Sequence, residues 1–380
     1  MYSDFVAFAR DLFQTPSDFL PLHEPRFFGN ERKYINDAID STFVSSVGAY
    51  VNLFEEKMAA ITGAKYAVAL VNGTAALHIA IKLAGVQQGD EVICQPLTFI
   101  ATANAISYEK ATPHFVDVDV DTMGLSPTAL RQQLETISEI RSDGCYNKET
   151  GKRIAACVPM HTFGHPVRCK ELAEVCKEYS IPLIEDAAES LGSYIGEKHT
   201  GTFGLLGTFS FNGNKTVTAG GGGAIVTNDE KLAKRVKHIT TTAKIPHRWE
   251  FKHDEIAYNY RMPNLNAALA CAQLEQLPDY LANKRETAKR YADFFENKPI
   301  QFMCEPVNTQ SNYWLNAIQL PDKKERDAFL NYTNDNGIMT RPIWHLLHEL
   351  DMYQHCPKAA LPNSKFLVDR IVNIPSSVRV

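Results

Sequence analysis

The sequence predicts an α/β protein built on a mostly parallel sheet, and three observations carry that expectation. From about Lys65 to Thr227, short apolar runs alternate with longer stretches of helical periodicity, the signature of βαβ units. Beyond Met262 the pattern changes to long charged helices and then a mixed segment, which indicates a second, smaller α/β domain. The chain has 380 residues, 44% of them hydrophobic and 22% charged, which excludes fibrous or wholly disordered architectures and allows a sizeable core.

Taken in order, the elements begin in Met1–Phe13, where Phe5, Phe8, Ala9, Leu12 and Phe13 fall at helical spacing and predict a short helix docked on the body. The segment lacks the basic start and small-residue cleavage site of a secretory leader. Candidate strands follow at Ala67–Val71, Glu91–Cys94, His114–Val116, Ile154–Val158, Ile181–Ile184, Thr208–Phe211 and Ala224–Thr227. Helix-like spacing occupies Ala75–Ala84, Ala101–Tyr108 and Arg168–Tyr179, each close after a strand, while polar Arg141–Lys152 reads as a surface loop. Past Met262, helices are expected at Leu265–Leu277 and Tyr280–Phe295, and strands at Trp314–Leu320 and Ile338–Arg341. The expected organisation is an N-terminal helix and arm over 1–27, a large domain over 28–262 and a small domain over 263–380.

Composition removes several function classes. A formal net charge of -5, with no Lys/Arg run longer than two, argues against nucleic-acid binding. No stretch approaches the roughly 20 consecutive apolar residues of a membrane span, so no membrane partner is expected. The eight cysteines are scattered without a Cys-x-x-Cys pair, which fits idle thiols in a reducing cytoplasm. His161 and His165 flank a Gly- and Pro-rich turn with no evident third ligand, so loop or substrate contacts are expected of them and no metal.

Three motifs carry chemistry. Asn72-Gly73-Thr74-Ala75 closes an apolar strand and opens a helix, where free N–H groups and the helix dipole can seat a phosphate. Ile184-Glu185-Asp186 puts two acids at the carboxyl end of a buried strand, the edge where open α/β sheets bind ligands. Side chains alternate along a strand, so only one can face a ligand; Asp186 is taken as that one, and burial obliges it to meet a cation. Phe209-Ser210-Phe211-Asn212-Gly213-Asn214-Lys215 then places one lysine on a turn after a strand. The glycine run 220–223 is expected to permit close approach of a bulky group. It runs into a strand, so it is not a dinucleotide fingerprint, which weakens a nicotinamide-dehydrogenase reading.

Together with Gly89-Asp90-Glu91-Val92-Ile93, Thr98-Phe99, Phe115-Val116-Asp117-Val118-Asp119 and Tyr258-Asn259-Tyr260-Arg261-Met262, these motifs resemble, in order, the DegT/DnrJ/EryC1/StrS sugar aminotransferases, from about Phe28 to Ser377. The resemblance implies the fold type I (aspartate-aminotransferase-like) architecture and pyridoxal 5'-phosphate as cofactor. It implies Lys215 as the Schiff-base lysine, Asp186 on the pyridine nitrogen and Phe99 stacked on the ring. Gly73, Thr74 and Ser210 would hold the phosphate, with Asn259 reaching across a homodimer. Glu189 departs from the Gln or His that many relatives carry near the cofactor's phenolic oxygen. A carboxylate there would be repelled, so it is either protonated or turned toward substrate. Glu189, with Pro246-His247-Arg248-Trp249-Glu250-Phe251 and His253-Asp254-Glu255, looks most like the branch that aminates C4 of UDP-2-acetamido-2,6-dideoxy-hexos-4-ulose with L-glutamate as donor, for legionaminic acid, bacillosamine and related surface glycans. Arg248, Lys252, Arg261 and Arg341 are the cations available to the diphosphate, and His161 is a further substrate contact. Two other readings stay open, a sugar dehydratase of the same fold and a non-catalytic regulatory homologue.

Overall fold

The computed structural model describes all 380 residues. Seven strands form its main sheet: β1 (Tyr66–Leu70), β2 (Glu91–Cys94), β3 (Thr112–Phe115), β4 (Ile154–Val158), β5 (Ile184–Asp186), β6 (Leu206–Ser210) and β7 (Gly223–Thr227). The order is β1-β7-β6-β5 and β4-β2-β3, and parallel bridges Cys157↔Leu183 and Met160↔Asp186 join the two halves. Only β7 runs against its neighbours. The strands read as apolar runs because parallel strands are covered on both faces; all five residues of β4 are buried.

The covering helices are α1 (Tyr2–Leu12), α2 (Glu31–Asp40), α3 (Ala49–Thr62), α4 (Gly73–Leu83), α5 (Ala101–Tyr108), α6 (Pro127–Ile137), α7 (Cys169–Glu178), α8 (Glu230–Thr240), α9 (Asn264–Glu275), α10 (Leu277–Phe295) and α11 (Lys323–Asp335). Period-two alternation sorts the core. Val68 and Leu70 of β1 pack with α4, α5 and α8, whereas Ala67 and Ala69 pack with α3 and α9. A second antiparallel sheet holds β8 (Gln301–Phe302), β9 (Asn316–Gln319), β10 (Arg341–Pro342) and β11 (Ile371–Ile374) in the order β8-β9-β11-β10. Phe5, Ala9 and Leu12 of α1 bury themselves there with Tyr291, Phe295 and Phe329, so the expected docking helix is present.

Several expectations are corrected. The expected break after Met262 does not coincide with a change of core. Leu274, Leu277 and Tyr280 pack with the main-sheet cluster, while Ala288, Tyr291 and Phe295 pack with the second sheet, so α10 runs from one core to the other. Arg141–Lys152 is not a plain loop: Ser138–Arg141 and Gly144–Asn147 pair as a hairpin around a two-residue Ser142-Asp143 turn, with Cys145 and Asn147 buried. Ile338 makes only an isolated bridge to Leu20, and the strand expected there is confined to Arg341–Pro342. All eight cysteines are free thiols, Cys304 alone exposed. No helix is long and apolar enough to cross a membrane.

Candidate active site

The carboxyl ends of β1, β5 and β6 open on one cavity of about 340 Å³, lined by Gly73, Thr74, Phe99, Asp186, Glu189, Ser210 and Lys215 among others. It has the size and position of a small-molecule site in an α/β sheet. Asp186 is buried in its wall, where one oxygen accepts from Thr102 Oγ1 at 2.7 Å and the other from the Ala188 N–H at 3.2 Å. Burial pushes its pKa up, against the pull of these donors, Lys215 and His161. Glu185 points to the other face and is saturated there. It accepts from the backbone N–H groups of Gly201 (2.7 Å), Phe203 (2.5 Å) and Gly204 (2.7 Å) and lies 3.2 Å from His161 Nε2. Burial alone would raise its pKa, but His161 and the amides outweigh that and hold it below the usual carboxylate value.

Lys215 stands on the turn after β6 with its side chain only 14% exposed. Its Nζ lies 3.1 Å from Glu189 Oε1 and 3.8 Å from the centre of the Trp314 ring. Trp314, at the edge of β9, is itself fixed by its indole N–H, which donates to the Asn214 carbonyl at 2.6 Å. The second oxygen of Glu189 accepts from the Phe163 N–H at 2.9 Å. Burial pushes Glu189 up to about 7; Lys215 and the Phe163 amide oppose this, and Asp186 adds to it.

The anion seat is built from α4. Asn72 caps the helix by accepting from the Ala75 N–H at 2.8 Å, which leaves the first amides, of Gly73 and Thr74, at the cavity wall. A Cβ on Gly73 would fall 2.8 Å from Ser210 Cβ, so only glycine brings the helix start against the hydroxyl that shares the seat. Gly223, the last of the glycine run after Lys215, serves this seat: a Cβ on it would lie 2.3 Å from the Asn72 carbonyl oxygen.

Other expected residues stand apart. Phe99, 51% exposed, lines the cavity edge-on to Trp344, their ring centres 6.4 Å apart. Asn259 is exposed, bridged to Thr241 and absent from the cavity wall. Arg248 and Arg341 are exposed and also absent from it. Arg261 is corrected: its guanidinium is buried, donating to Glu55 at 2.7 Å and the Ala69 carbonyl at 2.8 Å, so it is not free for a diphosphate. His161 is corrected as a substrate contact, because it is fully buried behind β5 between Glu185 and the Val167 N–H. Sequence reading missed Thr102 and Trp314. Thr102 lies one helical turn past Thr98-Phe99, whereas Trp314 comes from about a hundred residues away with no local signal.

A lysine facing a cavity whose opposite wall holds a buried carboxylate in want of a cation, beside a helix start that seats phosphate, defines a pyridoxal-phosphate enzyme of the fold type I class. The residues fit that cofactor: amine for aldehyde, acid for ring nitrogen, amides and Ser210 for phosphate. A sequence profile of the DegT/DnrJ/EryC1/StrS aminotransferase family matches residues 27–380, and the chain belongs to that family. It is a sugar aminotransferase and uses pyridoxal 5'-phosphate. It is 38% identical to the GDP-perosamine synthase of Escherichia coli O157:H7 over 358 residues, 94% of this chain and 93% of the relative. It is also 38% identical to the putative pyridoxal phosphate-dependent aminotransferase EpsN of Bacillus subtilis (strain 168), over 87% of this chain and 83% of that one. The crystal structure of the aminotransferase TlmJ from Streptoalloteichus hindustanus superposes with a TM-score of 0.85 at 25% identity, covering 94% of this chain and 93% of that one.

Proposed function

We propose that this chain moves the amino group of L-glutamate to C4 of a nucleotide-linked 4-keto-6-deoxy sugar, with UDP-2-acetamido-2,6-dideoxy-hexos-4-ulose as the acceptor. The observation that carries the reaction class is the convergence of Lys215, Asp186 and the Gly73–Ser210 seat on one cavity. Bound pyridoxal phosphate supplies the electron sink for the pair left behind when a carbon–hydrogen bond breaks. Lys215 would hold the cofactor through its carbonyl carbon and, as the free amine, would be the base that takes a proton from the donor's α-carbon and returns one at the sugar's C4. A positioned transfer of this kind is worth about 10²–10⁴-fold. Asp186, fixed by Thr102, would meet the cofactor's ring nitrogen and favour its protonated form. Trp314 covers one side of Lys215, its ring centre 3.8 Å from Nζ.

The UDP-acetamido sugar is supported by Glu189 and by the 246–255 segment. A second reading is favoured by relatives whose names specify a GDP-linked sugar. Incubation with glutamate and a panel of UDP-, GDP- and dTDP-linked 4-keto-6-deoxy sugars, read by mass spectrometry, separates the two. Amination of the acetamido sugar alone supports the first reading, and preference for the GDP sugar replaces it. Loss of water without nitrogen gain would assign the chain as a dehydratase instead. A yellow protein that glutamate fails to bleach would point to the regulatory reading. A cytoplasmic homodimer is part of the proposal, supported by exposed Asn259 and by apolar Phe43, Val47, Trp249, Phe251 and Ile256 left uncovered on the single chain. Sedimentation at a single-chain mass would remove it.

A further inference from the structure

Glu189 is held in a way that ties its charge to the state of one amine. The Phe163 N–H grips Oε2, so the carboxyl cannot swing away, and Oε1 meets one donor, Nζ of Lys215, at 3.1 Å. Phe163 makes this grip from a left-handed backbone conformation, φ 56, which a bulky residue keeps only when its surroundings enforce it. The charged neighbours are few. Lys215 is the single cation paired with Glu189, and Asp186 is a like charge close by. His161 lies behind β5 on Glu185 and reaches Asp186 only through its electrostatic field. His23, from the N-terminal arm, lies within electrostatic range of Lys215, and burial, Lys284, Lys215 and Arg26 keep it neutral. Whenever Nζ loses its charge, Glu189 therefore loses its counter-ion, while Asp186 remains beside it.

We propose that Glu189 is the proton partner of Lys215, holding a proton whenever Nζ is uncharged, whether bound to the cofactor's carbonyl carbon or free as the amine that acts as base, and giving it up only when Nζ stands as an ammonium, as in the cofactor-free chain. The inference rests on the assignment of Lys215 made above. The step balances. Nζ forms a carbon–nitrogen double bond, the carbon–oxygen bond breaks, and two of the ammonium's hydrogens leave with that oxygen as water. The third passes as a proton to Oε1, so an ion pair becomes a neutral imine beside a neutral carboxylic acid, with no change in the charge of the site. The acid then has a proton to donate, which removes the repulsion that a carboxylate would meet at the cofactor's phenolic oxygen. The upward push that burial gives Glu189, even with the ammonium alongside, is in the required direction.

Two measurements test this without donor or sugar. The first follows the carboxyl carbons of the glutamate-labelled chain by NMR across neutral pH, with and without pyridoxal phosphate, Glu189→Gln identifying the resonance. Cofactor binding is expected to raise the proton affinity of Glu189 at least tenfold. The second records proton release as cofactor is added in weak buffer. Glu189→Gln is expected to release about one more proton per chain than the wild type, and Glu189→Asp to restore part of the difference. A Glu189 resonance that stays ionised with cofactor bound, or equal proton release by wild type and Glu189→Gln while borohydride fixes the cofactor on Lys215, would overturn the inference alone. Fixation on another residue would overturn both this inference and the functional reading.

Discussion

The two faces of β5 hold buried carboxylates one residue apart, and the proteins they belong to could be different. Behind the strand, Glu185 meets three backbone amides, His161 and the Cys169 thiol. In front, Asp186 has one hydroxyl and one amide, and Glu189 one amide and one lysine. All three are buried, yet Glu185 is shifted down and the other two up. A saturated network stabilises the charge it encloses and so maintains a structure; an under-supplied one leaves charge looking for a partner, which a ligand can bring.

Removing the amine breaks the front face most completely. Lys215→Ala is expected to lower single-turnover amino transfer by about 10²–10⁴-fold, with far-ultraviolet dichroism of the cofactor-free chain unchanged. Asp186→Asn comes next: about 10²–10³-fold slower transfer, on the scale of removing one preorganised electrostatic group, with cofactor retained better than activity. Titrating the chain with pyridoxal phosphate and assaying the loaded protein checks both halves. On the back face, Glu185→Gln is expected to cost about 3 kcal/mol of stability in urea unfolding, because amides it satisfied lose their acceptor, whereas Asp186→Asn should cost little or add stability.

The smallest effect concerns pH. In the cofactor-free chain Glu189 binds its proton more tightly when folded, about 7 against an ordinary 4.5, and Asp186 is shifted in the same direction. Folded protein therefore holds more protons than unfolded across that window, so stability should fall as pH rises from 4.5 to about 7 and level off above it. Glu189→Gln should flatten that decline, as read from urea midpoints at several pH values. An unchanged slope would show that the front face is as well supplied as the back.

Much of this was written in the sequence where the physics is local. Buried parallel strands are continuous apolar runs, so β2 and β4 were bounded to the residue, and ligand-facing groups sit at or just past the carboxyl ends of strands, where Asn72, Asp186 and Lys215 fall. Helices α6, α8 and α11 were passed over although each carries a start signal: Ser126-Pro127, Asp229-Glu230, and Asp322 capping the amide of Glu325. What sequence cannot show is the partner of a charge. Arg261 looked free because Glu55 lies 206 residues away, and His161 looked like a ligand contact because nothing local says that Glu185 turns toward it.

The cover over Lys215 also sets an order of events on the ribosome. Gly73, Asp186, Ser210 and Lys215 are all synthesised before Trp314, which follows Asn214 by 100 positions. At about 5–20 residues per second, the nascent chain carries an uncapped, water-exposed lysine for roughly 5–20 s. Only when the second sheet folds back does that amine gain its aromatic roof, so the part of the chain made last completes the wall around the lysine.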